Sequence, residues 1–298
     1  ASITVATAYM ADVSTAENKA QNFGLIGAAF GLGFFVGPLI GGYCSQWGVT
    51  VPFYVACVLT LLNFVYGLFV LPESLSQEKR KEIDWKRVNP MGSLKYLKSQ
   101  EMIFGLITAF FIVYIASHSL QSTWSYFTMH KFNWNADMVG YSLAVVGITV
   151  VIVQAALVKH VVNRFGETRT VIGGFIMWFV GMILFSIVWD QWLLMLSLVP
   201  YCLGGVASPT IQGIISNQVP ENEQGALHGG LTSIISISSI VGPLIMTGIF
   251  YGFTKNGTVF YFPGAPFVLS ALLIAAAIWL VIISLRKLNN NPDAVIRN

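Results

Sequence analysis

Gly27-Ala-Ala-Phe-Gly31-Leu-Gly33-Phe-Phe-Val-Gly37-Pro38-Leu-Ile-Gly41-Gly42 lies inside a run from Ala20 to Pro72 that holds no Asp, Glu, Lys, Arg or His. A membrane-crossing helix needs about 20 apolar residues, each rising about 1.5 Å. The run therefore accommodates two spans joined by a short turn near Cys44 to Val51. Gly33, Gly37 and Gly41 recur every fourth residue along one helix face, and Gly27 and Gly31 form a neighbouring pair. Small residues let two helix backbones approach closely in lipid, where no hydrophobic force drives helices together. Pro38 removes one backbone donor and permits a bend. The pattern suits a close-packed, bendable helix at the interface of two bodies that rock past each other. Ordinary small-residue packing is the plainer alternative.

The rest of the chain repeats this apolar character. Of 298 residues, 55% are hydrophobic and only 10% charged, with a mean hydropathy of +0.70. A soluble domain carries about 25% charge. Three cysteines and abundant aromatics argue against disulfide-scaffold and disordered classes, and a net charge of +3 gives no nucleic-acid footprint. Eight full spans are expected, at about 23–43, 52–71, 102–122, 137–158, 170–189, 192–215, 228–250 and 266–285, with a ninth, partial span ending near Ala11. Continuous apolar runs exclude a β-barrel, whose strands alternate in polarity. If loops alternate sides, one side gathers Lys19, Lys79, Arg80, Lys81, Lys86, Arg87, Lys95, Lys98, Lys159, Arg164, Arg169, Arg286, Lys287 and Arg297. The other side receives Lys131 and Lys255 alone. By the positive-inside rule the first side, with the C-terminus, is cytoplasmic.

Gly37-Pro38-Leu39-Ile40 returns as Gly242-Pro243-Leu244-Ile245. Glu17-Asn18 and Glu221-Asn222 precede the two copies at nearly equal distance, and both copies run outward from the cytoplasm. Parallel repeats of this kind are one transporter architecture. With equal halves, about one hundred residues and three helices are expected before Ala1, which gives a twelve-helix, six-plus-six parent. The expected domains are 1–71 (the end of helix four with helices five and six), a cytoplasmic linker at 72–100, and a second six-helix half at 101–298.

Gly31-x-Gly33-x-x-x-Gly37-Pro38-x-x-Gly41-Gly42 resembles the antiporter motif of drug–proton exchangers in the major facilitator superfamily. Leu71-Pro72-Glu73-Ser74 is similar to the end of their sixth helix. The likeness continues through Phe132-Asn133-Trp134-Asn135, Gly140-Tyr141-Ser142-Leu143-Ala144, Phe165-Gly166-Glu167, Gly204-Gly205, Pro209-x-x-Gln212-Gly213, Glu223-Gln224-Gly225-Ala226-Leu227 and Ile240-Val241-Gly242-Pro243-Leu244. Together these are most similar to the tetracycline-resistance branch. The resemblance implies a helical bundle that exports a small amphiphilic, tetracycline-like compound in exchange for protons. The proton gradient supplies the energy, with no other cofactor. It also implies a multi-pass monomer of the bacterial inner membrane, whose partners are lipid, substrate and protons. A sugar, metabolite or siderophore carrier is the alternative substrate reading, and a non-transporting fragment the alternative class. Trp178 stands where tetracycline exporters carry an Asp in their ninth helix, and Val150 where they carry a His in the eighth, while Gln154 matches.

His118 is the one ionisable side chain expected well inside a span, in its outer third, and His titrates near neutral pH. A hydrogen-bonded packing role is the plainer alternative. Gln121, three residues on and on the same face, and Trp124 beyond it join Gln154, Trp178, Ser208 and Gln212 as substrate-cavity candidates. An amide or hydroxyl in hydrocarbon needs a partner helix or a wet cavity. Arg164, Gly166, Glu167 and Arg169 resemble the superfamily's cytoplasmic loop whose charges latch neighbouring helices. The four histidines are scattered, no cysteine pair has zinc spacing and no phosphate-cradling loop is present, so neither a metal site nor an enzyme is expected.

Overall fold

A computed structural model describes Tyr9, residues 19–72, Leu97, and residues 103–219 and 224–290. Every regular element among them is helical. In chain order these are α1 (Lys19–Ser45), α2 (Val51–Phe69), α3 (Phe104–Phe132), α4 (Ala136–Ile152), a π-helical turn (Val153–Leu157), α5 (Val158–Phe165) and α6 (Glu167–Ile187). After these come α7 (Gln191–Leu203), a 3-10 turn (Gly204–Val206), α8 (Ala207–Ser216), α9 (Gln224–Thr254) and α10 (Ala265–Asn290). Among the described residues, six stretches are long and apolar enough to cross a membrane: Val51–Phe69, Phe104–Phe132, Glu167–Ile187, Gln191–Ser216, Leu227–Thr254 and Ala265–Leu288. The protein is an all-α, multi-pass membrane protein. The stub before Ala11, the basic residues from Lys79 to Lys98, and Arg297 lie outside the described residues.

Helix boundaries follow local chemistry. Pro52 occupies the first turn of α2, where its missing N–H costs nothing. α3 ends on Asn133 in the left-handed conformation (φ 53°), the N–H of Asn133 reaching the Thr128 carbonyl. Asn and Gly are the residues that reach this conformation most readily. Two residues later, Asn135 accepts a 2.9 Å hydrogen bond from the Met138 N–H at the start of α4. The Asp190 carboxylate caps α7 by accepting from the N–H groups of Trp192 and Leu193, at 2.8 and 3.2 Å. Gly166 (φ 79°) separates α5 from α6, a conformation that a side chain would strain.

Three spans differ in detail from expectation. α3 continues ten residues past the expected end at residue 122, because the run through Tyr126 and Phe127 stays helical until Asn133 stops it. The expected 137–158 span is interrupted by the π-turn. The expected 192–215 span is present as Gln191–Ser216, with a 3-10 turn at Gly204–Val206 inside it. There two glycines weaken the helix, and Pro209 cannot donate to the Gly205 carbonyl.

The described elements fall into two compact units. α1, α2 and α4 as far as Val151 belong to one; α3, the π-turn and everything after it belong to the other. In the second unit α3 is the central rod, flanked by α9 and α10, and α6 packs on α10 and on the α7–α8 rod. Its core carries an aromatic cluster. Trp124 lies 5.3 Å from Phe185, Phe127 4.9 Å from Phe267, and Phe185 5.5 Å from Phe267, mostly edge to face.

Candidate functional site

In the first unit the glycine-rich helix meets α4 backbone to backbone. A Cβ built on Gly140 would lie 2.7 Å from the Pro38 carbonyl oxygen and 3.0 Å from the Gly42 Cα. A Cβ on Gly42 would lie 3.3 Å from both the Ala136 carbonyl oxygen and the Gly140 Cα. Gly140 leaves no room for a side chain at this crossing, and Gly42 is a tight fit opposite it. The Gln46 amide donates to Asp137 at 3.2 Å beside it. Gly33, Gly37 and Gly41 meet nothing within 4 Å among the described residues, so the crossing uses the C-terminal end of the motif. Gly27 and Gly31 lie on α1, with their surroundings outside the described residues.

In the second unit a seam of small residues joins α6 to the α7–α8 rod. A Cβ on Gly174 would come within 2.8 Å of Ala207, one on Gly181 within 2.8 Å of the Tyr201 backbone, and one on Gly204 within 2.6 Å of Trp178. Trp178 sits in this seam, 9% exposed, edge-on to Tyr201 with ring centroids 5.9 Å apart. Its indole N–H has no acceptor among the described residues. The 3-10 turn at Gly204–Val206 packs against the π-turn that carries Gln154, and the two irregular turns touch through Gly205 and Val153.

The structure brings some sequence candidates together and separates others. Ser208 is hydrogen-bonded to Tyr114 across α8 and α3. Gln212 is half-buried one turn after Ser208, and Gln154 is exposed. His118 is 7% exposed and falls at the midpoint of α3, which runs from Phe104 to Phe132. Gln121, expected on the His118 face, is exposed. Trp124, expected along a cavity, is 1% exposed at the centre of the aromatic cluster. Where α5 meets α6, Arg164, Glu167 and Arg169 are exposed and form no ion pair among the described residues, and the Arg164 guanidinium lies 6.0 Å from the Phe165 ring centroid. The junction itself is held by backbone: the Gly166 N–H donates to the Val162 carbonyl at 2.8 Å, closing α5, and the Gly166 carbonyl accepts from Thr170, opening α6.

Sequence reading passed over Gly174, Gly181 and Tyr114, and took Gly140 only as part of a family likeness. The seven-residue spacing of Gly174 and Gly181 is the available signal.

The sequence profile of the Major Facilitator Superfamily matches residues 1–127 and again 109–294. The chain belongs to the Major Facilitator Superfamily. Among curated relatives it is 35% identical over 246 residues to the Escherichia coli class C tetracycline resistance protein, covering 83% of this chain and 62% of that one. It is 31% identical to the Escherichia coli class E protein, covering 91% and 67% respectively. The chain thus spans about two thirds of the length of these superfamily relatives. Among solved structures it superposes on the human organic anion transporter MFSD10 (TETRAN) with a TM-score of 0.67 and 20% identity, over 94% of this chain and 67% of the other. At that identity the match speaks to the fold.

Proposed function

We propose that this superfamily member is a secondary active transporter that exports a small amphiphilic compound of the tetracycline class in exchange for protons. Substrate binds near the membrane midplane and is exposed to each side in turn. The basic loops and the C-terminus face the cytoplasm of a bacterial inner membrane. The protein acts as a monomer, and no covalent chemistry is needed. The observation that carries this reading is the Gly42–Gly140 crossing. A helix pair in direct backbone contact, beside a proline, gives a smooth surface along which small displacements cost little packing.

Trp178 favours a second reading of the substrate. Tetracycline exporters resemble this chain but carry an acceptor carboxylate there. An indole is a donor only, so an exported compound that reaches this N–H when the seam opens presents an acceptor, as an anionic or carbonyl-rich molecule does.

The test is drug susceptibility in an efflux-deficient bacterium expressing the protein. The expected outcome is at least a fourfold rise in the inhibitory concentration of tetracycline. An unchanged concentration, alongside increased resistance to an anionic amphiphile, would assign the second substrate class. No change for any amphiphile would end the exporter reading.

A further inference from the structure

We infer that His118 is the proton-carrying side chain of the second unit, its imidazole seated in a notch that Gly242 leaves open in α9. The inference rests on the proton-coupled reading above and names a residue for it. His118 is the fifteenth of the twenty-nine residues of α3, about 21 Å along the helix from either end. Among the described residues it is the sole Asp, Glu, Lys, Arg or His in the middle of a membrane-spanning helix. Ionisable groups at such depth are costly and mark proton or ion pathways. The ring lies directly against α9: a Cβ on Gly242 would come within 2.7 Å of the His118 Cγ and 2.9 Å of its Cβ. Gly242 opens the Gly242-Pro243-Leu244-Ile245 repeat, so the imidazole sits one residue from the proline at which α9 is able to bend. Although His118 is more than nine-tenths buried, neither ring nitrogen has a hydrogen-bond partner among the described residues.

The titratable and charged groups on the elements around it are remote or committed. On α3 they are Tyr114, one turn earlier and bonded to Ser208, with His130 and Lys131 at the far end. α9 offers His228 near its start and Tyr251 near its end; α10 offers Arg286 and Lys287 in its last turns. α6 offers Glu167 and Arg169 in its first turn, and the α7–α8 rod Tyr201 and Cys202. None is a carboxylate at the depth of His118. A protonated ring in the notch would be a buried cation without a counter-charge, so it must swing toward water or substrate. That motion vacates the notch and frees α9 to bend at Pro243. One proton is bound by a ring nitrogen from one compartment and released to the other, and no other bond changes.

Hydrogen exchange of α9 peptides spanning Ile240–Met246, on the full chain in lipid nanodiscs, tests the notch without any substrate. In wild type, protection corrected for intrinsic exchange should fall at least tenfold between pH 7.5 and pH 5.5. In His118→Gln it should be equal at both pH values, and His118→Asn serves the same comparison if the Gln variant accumulates poorly. Wild-type protection independent of pH, or an undiminished fall in the variants, would overturn the inference. A transport arm separates it from the function proposed above. With tetracycline as probe, His118→Gln should lose at least tenfold of the uptake driven by a pH gradient into everted vesicles, yet keep tetracycline exchange at equal pH. Wild-type vesicles that ignore tetracycline while the exchange result stands would fault the substrate and leave His118 in place. A variant with full gradient-driven uptake would remove His118 from the coupling.

Discussion

Glycine is used here at individual positions, and its neighbours decide what each one does. Gly173 and Gly174 are adjacent on α6, yet a Cβ on Gly173 meets open space while one on Gly174 meets Ala207 and Val206 at 2.8 and 2.9 Å. Gly173→Ala should therefore raise thermal stability in detergent by up to about 1 kcal/mol through helix propensity. Gly174→Ala should lower it by about 1–3 kcal/mol through overpacking. Gly140→Ala belongs with Gly174, because its Cβ would press on the Pro38 carbonyl, a backbone atom that cannot turn aside. Equal effects at Gly173 and Gly174 would contradict the seam. The Gly33-to-Gly42 motif was legible in the sequence because its repetition reads as a face. A lone Gly140 or Gly181 carries no such pattern, since the atoms that demand its small size come from a distant stretch of chain. The same limit hid the fate of Trp124. Sequence places it on a helix one turn from polar residues, while the structure surrounds it with Phe127, Trp134 and Phe185.

At the scale of elements, the sequence reported where helices lie far better than where they break. Charge-free runs located the apolar spans because lipid admits no other simple solution for backbone polar groups. The break at Gly204–Val206 has a local cause in its glycines and in Pro209. The π-turn at Val153–Leu157 contains neither glycine nor proline, so nothing in its own residues announces it. It exists where Val153, 3% exposed, is pressed against the 3-10 turn. π-turns often mark functional positions in helices, and this one carries Gln154. Helix ends with a polar cap are local features of the structure, and the Asp190 cap offers a direct check. Asp190→Ala removes the acceptor for two backbone N–H groups and should cost about 1 kcal/mol, seen as earlier thermal unfolding with transport retained. No loss of stability would mean that water replaces the carboxylate without penalty.

At the scale of the whole molecule, membership of the superfamily and an all-helical membrane architecture agree with the reading from composition and hydropathy. What sequence could not supply was the neighbour. The expected α3 stopped near residue 122, whereas the full helix puts His118 at its mid-length. Packing against α9 turns an unremarkable histidine into a buried ionisable group facing the second Gly-Pro motif. Energy coupling is the claim on which the functional account stands, and a simultaneous measurement of both fluxes reaches it most directly. In everted vesicles, addition of tetracycline to an imposed acid-inside gradient should draw the drug inward and release protons outward together, and a protonophore should abolish both. Drug uptake that persists without a gradient, or that leaves the proton flux unchanged, would contradict exchange as the mechanism.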